Sequence, residues 1–201
     1  MPTSCRIRSR ATLRATACRS ADRLADKRDK AKKAPGALDD TWAKLLRNYA
    51  RGRLRLGETH LREAQLLAKR ADVPNACAHA AYYAMHHCAA AALYLENKTD
   101  KHGKVVESHE HVLQHYANLV KDEPAPLSET AEWLNEERAC RVRADYGIVL
   151  AGATIEDARE SCANAVRFFE EFYEKWRLDM PADAMENLSL TRNLEKLLPG
   201  S

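Results

Sequence analysis

Residues Asn75–Asn97 read NACAHAAYYAMHHCAAAALYLEN. The stretch is rich in alanine, almost free of charge, and contains no proline or glycine, in a chain that is 30% charged. Alanine, leucine and methionine are good helix formers. The stretch therefore predicts one long, buried helix.

At 100° per residue the helix sorts into three sides. Cys77, Ala80, Ala81, Ala84, Cys88, Ala91, Ala92 and Leu95 form a broad side of mostly small groups, which lets a neighbouring helix approach closely. Ala78, Tyr82, Met85, Ala89 and Leu93 form a bulkier side. His79, Tyr83, His86, His87, Ala90 and Tyr94 form a stripe that mixes imidazole with phenol. Polar aromatics are common at partly wet positions. The stripe reads either as a half-exposed helix face or as the wall of a binding cleft.

On the N-terminal side, Asp72-Val73-Pro74-Asn75 is a tight break, with Pro74 or Asn75 starting the central helix. Leu38–Ala71 before it is helical. Gly52 and Gly57 are expected to divide it into a short piece around Trp42–Tyr49 and a longer one around Gly57–Ala71. On the C-terminal side a polar loop, Lys98–Gly103, leads to a third helix over Val105–Val120, ended by Lys121–Pro126 and its two prolines. A fourth helix is expected over Leu127–Leu150, with Ser128 as N-cap. Thr154-Ile155-Glu156-Asp157 resembles a capping box with Asp in place of Glu. It opens a fifth helix running to about Trp176, whose apolar stripe is Ile155, Ala158, Cys162, Ala165, Val166, Phe169, Phe172, Tyr173 and Trp176. No stretch alternates with period two between turn residues, so no strand is expected. The fold class is all-α, an antiparallel bundle of four or five helices over residues 38–178.

Residues 1–37 are arginine-dense and poor in large apolar groups, and read as a basic, disordered N-terminal arm closed by Pro35-Gly36. Residues 179–201 read as a C-terminal tail in which Asp183–Leu198 can form a short helix. Residues 1–35 carry a net charge of +8 and the rest a net of −5, so the overall +3 hides an asymmetry. A basic arm of this kind can grip phosphate by displacing counterions. No apolar run is long enough to span a bilayer, so no membrane association is expected. The six cysteines include no CxxC pair, which points to a reducing, cytoplasmic setting.

Two groups of residues can carry chemistry. On the fourth helix Leu127, Ala131, Leu134, Arg138, Arg141, Asp145 and Ile148 share about one third of the circumference, by the ~100° step. Charge thus interrupts a core-facing stripe, and burying charge is costly unless it is paired. Arg141 and Asp145 are four apart and can pair on one face. The patch is either an internal salt bridge between helices or a polar cleft that offers Arg forks to phosphate. The second group is the histidines, all eight of which lie between His60 and His115. His111 and His115 share a helix side, but no HExxH or paired CxxC accompanies them, so no metal is expected. No phosphate-binding glycine loop and no GxSxG is present, and no cofactor is expected.

Taken together, three segments resemble a known family. Ala80-Ala81-Tyr82-Tyr83-Ala84-Met85-His86-His87-Cys88-Ala89-Ala90 is similar to the central helix of HEPN domains (higher eukaryotes and prokaryotes nucleotide-binding). Ser108-His109-Glu110-His111-Val112 resembles a Ser/Thr-His motif that follows that helix in one prokaryotic branch. Arg141-Val142-Arg143-Ala144-Asp145-Tyr146 resembles that branch's Arg…Ala-Asp-Tyr motif, with one more residue between. The resemblance covers about Gly57–Trp176.

It implies an all-α bundle and a homodimer whose clefts meet at the two-fold axis. Many members are ribonucleases in which an arginine on the late helix is followed, four to six residues on, by a histidine. Others are inactive binding modules or partners of a nucleotidyltransferase in toxin–antitoxin pairs. Here no histidine follows His115, so neither Arg138, Arg141 nor Arg143 is followed by one at that spacing. The expected function is a nucleotide-, RNA- or partner-binding module without the standard nuclease activity. Its ligand-binding residues are expected to be Arg138, Arg141, Asp145, Tyr146, Tyr83 and His87. The alternatives are a divergent metal-independent ribonuclease, with Arg141 on phosphate and Asp145 or His109 in the histidine's place, and a structural dimerisation module whose arm binds nucleic acid.

Overall fold

The computed structural model describes residues 37–98, 108–146 and 152–176. Among them every regular element is helical: α1 (Ala37–Leu67), α2 (Pro74–Leu95), α3 (His109–Val120), a 3-10 turn (Leu127–Glu129), α4 (Thr130–Tyr146) and α5 (Ile155–Trp176). This is the expected all-α bundle. The tail, and the basic arm except for Ala37, which opens α1, lie outside the described residues, as do His102, Val105 and Ile148.

The central helix lies where its alanines predict. Pro74 occupies its first turn, where a missing N–H costs nothing. A Schellman closure ends it: the Lys98 N–H donates to Leu93 O at 2.9 Å and the Asn97 N–H to Tyr94 O at 3.2 Å. Asn97 supplies the left-handed residue this closure needs, with φ 50°. Helix α2 packs against all four other helices. Pairings along its length fix their directions. Trp42 Nε1 donates to Asn97 Oδ1 at 3.1 Å, and the Cys77 thiol lies 3.3 Å from Ala64 O, so α1 runs antiparallel to α2. Cys77 also lies 3.3 Å from Ala158 O, and Trp176 Nε1 donates to Glu96 Oε1 at 2.8 Å, so α5 runs parallel to α2. Helix α4 is antiparallel to α5, with Asn164 Nδ2 donating to Glu137 Oε1 at 3.1 Å and Ser161 Oγ to Cys140 Sγ at 3.8 Å.

The small-residue side of α2 is covered along most of its length: Cys77, Ala80, Ala81, Ala84, Cys88, Ala91 and Ala92 are buried in the core, and Leu95 packs against it part-buried. From α5 come Phe168, Phe169 and Phe172, all without exposed surface. Phe168 sits beside the expected stripe and is nonetheless core, because its ring reaches Tyr116 of α3 at 5.3 Å between centroids. Four cysteines, Cys77, Cys88, Cys140 and Cys162, are buried and unbridged. Burial pushes the Cys77 thiol up to about 12 and that of Cys162 up to about 11, which makes them inert packing groups. The capping box at the start of α5 is formed: Thr154 N–H donates to Asp157 Oδ2 at 2.8 Å, and Asp157 N–H to Thr154 Oγ1 at 3.1 Å.

Three expectations need correction. Helix α1 is not divided at Gly52 and Gly57 but runs unbroken through both. Gly57 faces α2 so closely that a Cβ there would lie 3.0 Å from Ala84 O and 3.0 Å from Phe169 Cζ. It is a close-packing glycine and not a break. Helix α3 starts at His109, capped by Ser108, whose Oγ accepts from His111 N–H at 3.4 Å. Ser128 does not cap α4 but lies inside the preceding 3-10 turn, so the α-helix itself begins at Thr130.

The two glycines predict opposite responses to one substitution. Around Gly52 nothing lies within 4 Å of a Cβ. Gly52→Ala should therefore gain the helix-propensity difference of about 0.8–1 kcal/mol. Gly57→Ala should lose about 1–3 kcal/mol net, because its clash partner is backbone and cannot turn aside. Thermal melts of the two variants read the difference directly.

Candidate functional site

The polar stripe of α2 faces two different surroundings. Its outer part meets α4. His79 Nδ1 lies 3.0 Å from Asp145 Oδ1, and Arg141 Nε lies 2.6 Å from Asp145 Oδ2. The Arg141 contact is a charge pair without hydrogen-bond alignment at Nε. The helical i,i+4 spacing that was legible in sequence thus forms, and the same carboxylate reaches across to a second helix. Side chains here are part-buried, 19% exposed for Arg141 and 22% for Asp145, while His79 is 43% exposed.

Two phenol rings flank the Arg141 guanidinium. Its carbon sits 5.7 Å from the Tyr83 centroid and 5.9 Å from that of Tyr146. Cations at such distances are held by the ring quadrupole. Tyr83 is half-buried, with His79 against it at 4.7 Å between centroids. Tyr146 is 68% exposed, a large apolar surface left open beside a part-buried charge. Arg138, one turn earlier, is half-buried, and among the described residues no carboxylate pairs with it. Its charge and that of Arg141 help hold the His109 imidazole below its ordinary value, after burial as the larger cause.

The inner part of the stripe meets α1 and α3 as a layer of imidazoles. His86 is 5% exposed, and both of its ring nitrogens lack a hydrogen-bond partner. Its ring lies 4.4 Å from that of His109 on α3 and 5.5 Å from that of His87. Burial pushes His86 down to about 3, with smaller contributions from His109, His87 and Arg53. His87 turns toward α1, where it stacks on His60 at 5.5 Å and lies 3.4 Å from Arg53 Nη1. Burial, then Arg53, lowers it to about 4. His109 shares a 2.8 Å hydrogen bond with the hydroxyl of Tyr82, a phenol that burial holds up at about 12.

Sequence reasoning brought Arg138, Arg141, Asp145, Tyr146, Tyr83 and His87 into one cluster, and the structure places Asp145, Tyr146 and Tyr83 each against Arg141. His87 is not in that contact set; it belongs to the inner layer. His109 lies between the two, at 5.4 Å and nearly perpendicular to Tyr83. His79, His60 and Arg53 were missed as site residues. His79 had been placed only on a stripe, and its partner is 66 residues away. The face read as half-exposed is also more covered than expected, since His86, Ala90 and Tyr94 are buried.

A family model described as HEPN domain matches residues 50–176. The chain belongs to the HEPN family. The matched stretch begins within α1 and includes every residue of both clusters. No curated protein and no solved structure matches the chain. Within this HEPN bundle no group of three or more His, Cys, Asp or Glu among the described residues is placed to hold a metal ion. His111 and His115 do share a side, with ring centroids 6.3 Å apart. No helix among the described residues is long and apolar enough to cross a membrane.

Proposed function

We propose that this HEPN domain binds single-stranded RNA at the α2/α4 face, with Arg141 on a phosphate and Tyr146 under a base. The observation that carries the reading is the Arg141 guanidinium, flanked by two phenol rings and set against Asp145 through Nε. The guanidinium is a planar fork, the geometry that suits phosphate. An exposed ring beside it supplies a stacking platform for any base. Arg138 adds a second positive charge on the same helix.

The charge distribution supports a short site. Residues after 35 carry a net of −5, and long-range attraction to phosphate comes from the arm at +8. One or two phosphate contacts on single-stranded nucleic acid give a salt slope of roughly 0.7 each. The domain acts as a binding module, in the full chain and with its arm.

Fluorescence anisotropy with a labelled single-stranded RNA of about a dozen nucleotides tests it. Arg141→Ala should weaken binding by roughly 10–100-fold, the worth of one charge-assisted contact. Tyr146→Ala should weaken it by roughly 5–100-fold through lost stacking. Deleting residues 1–35 should lower the salt slope while leaving the Arg141→Ala effect in place. Unchanged affinity in a folded Arg141→Ala protein would sink the proposal.

A further inference from the structure

Helix α1 carries a row of cations on its open face. Lys44, Arg47, Arg51 and Arg55 follow one another at three or four residues, which places them within about 80° of the helix circumference. All four are exposed, and among the described residues none of them meets a carboxylate or an aromatic ring. The net of −5 after residue 35 hides this local excess, because residues 41–57 hold five Lys/Arg and no Asp/Glu. The next acid along the helix, Glu58, is already held by the Tyr173 hydroxyl of α5, which donates to it at 2.6 Å.

Gly52 lies beside the row and is a second, independent sign of a ligand. It is exposed, and nothing lies within 4 Å of where its Cβ would stand, so packing does not explain a residue that weakens a helix. A missing side chain lets the backbone of a ligand come close. With Asn48 and Thr59, both exposed, Gly52 makes a shallow polar strip alongside the cations.

We infer that this face of α1 docks the phosphate backbone of a double-helical nucleic acid, independently of the α2/α4 face. At 1.5 Å per residue the row from Lys44 to Arg55 is about 17 Å long. Over that length one strand of a double helix presents about five phosphates, at roughly 3.4 Å each. Three of the four cations are arginines, whose forks suit phosphate oxygens. A single strand would call for exposed rings on which to stack its bases. Helix α1 offers none: Trp42 and Tyr49 are half-buried and engaged with Asn97 and Tyr94 of the α2 end. A surface of cations and small polar groups instead suits a helix whose bases are turned inward, and it fixes position without reading sequence. A bilayer fits less well, because the exposed leucines Leu56 and Leu66 stand ten residues apart and form no continuous apolar strip. The arm at +8 leads directly into α1 in the sequence and adds its charge to the same end of the row.

The full chain is titrated into fluorescently labelled duplexes of about 20 base pairs, one of DNA and one of RNA, over a range of salt concentrations. Arg51→Gln/Arg55→Gln keeps good helix formers at both positions. It should weaken binding to both duplexes by roughly 10-fold or more at low salt and lower the salt slope by about 2, close to one for each lost phosphate contact. A duplex of scrambled sequence should bind as tightly as the first. Gly52→Leu leaves the charge unchanged and favours the helix. It should melt no lower than the natural protein and yet bind duplex several-fold more weakly, a combination that a merely structural glycine does not produce. Arg141→Ala should leave duplex binding unchanged. The same affinity and slope in a folded Arg51→Gln/Arg55→Gln protein would overturn the inference, as would an effect on only one of the two duplexes. Duplex binding as tight in Gly52→Leu as in the natural protein would overturn the close approach at Gly52. A loss in Arg141→Ala that matches the loss in the α1 variant would place the duplex at the α2/α4 face, overturning this inference while leaving that site standing. Phosphatidylserine vesicles are the last probe: if Arg51→Gln/Arg55→Gln weakens binding to them more than binding to duplex, the row is a membrane surface and the inference fails.

Discussion

Lowering the pH from 7 to 4 is expected to unfold the bundle, and His86→Phe is expected to shift that transition to lower pH. The cause is the inner imidazole layer. An unfolded histidine takes up its proton near pH 6.5, whereas in the folded protein His86 does so only near about 3 and His87 near about 4. Between those values the unfolded state binds more protons than the folded state, so stability falls as pH falls. The contribution is fully present above about pH 6.5 and is lost by about 1.4 kcal/mol per pH unit for each residue until its folded-state value is reached. At pH 4 the two together approach about 6 kcal/mol, comparable with the whole stability of an ordinary domain of about 5–15 kcal/mol. Relief by neighbours is not at hand, because the groups that shift the pair after burial are cationic or basic: Arg53 and His60 from α1 and His109 from α3. Phe keeps an aromatic ring at position 86 and removes both unpartnered ring nitrogens. The check is the midpoint of acid unfolding followed by circular dichroism. It should drop by about half a unit or more in His86→Phe and stay put in His111→Gln, a change at an exposed position. Equal midpoints in all three proteins would mean that the layer is not what limits acid stability.

That layer also marks where reading the sequence stops. Helix α2 was legible because alanine without glycine or proline has one good conformation, and α5 because its apolar residues recur with helical period above a capping box. Arg141 and Asp145 were legible as a pair because four residues make one helical turn. His79 joins them only through tertiary structure, across 66 residues, and nothing local distinguishes it from His86 or His87 on the same stripe. Which of the three is open and which is enclosed depends on how α1 and α3 cover α2, and that information lies in other segments. Gly57 was misread for the same reason. A glycine inside a helix lowers local propensity, so it reads as a break until the partner that needs its missing side chain is known.

Phe169→Ala should be the most damaging single substitution in the core, costing about 3–5 kcal/mol. The ring has no exposed surface and its Cζ reaches the hollow left by Gly57. For a domain of this size such a loss lowers the melting temperature by roughly 6–20 °C. The pair allows a sharper test than the single change. Gly57→Ala destabilises the natural protein by pressing a methyl group on Phe169 and on the Ala84 carbonyl. With the ring gone, one of those two obstacles disappears and the methyl group enters the new cavity. The cost of Gly57→Ala should therefore shrink by at least about 0.5 kcal/mol in the Phe169→Ala background, the coupling expected of residues in direct contact. Strict additivity in urea unfolding would show that the close approach is set by Ala84 alone. The contact also bears on the clusters, because a Cβ at Gly57 would lie 3.5 Å from that of His87. Forcing α1 away there withdraws His60 and Arg53 from the inner layer. Gly57→Ala should thus raise the proton affinity of His87, seen by NMR titration as a midpoint moved up from about 4 toward 6.5. The Arg141–Asp145–His79 group meets α1 through Tyr83, whose ring lies 5.6 Å from that of His60, so RNA binding should be affected less than stability.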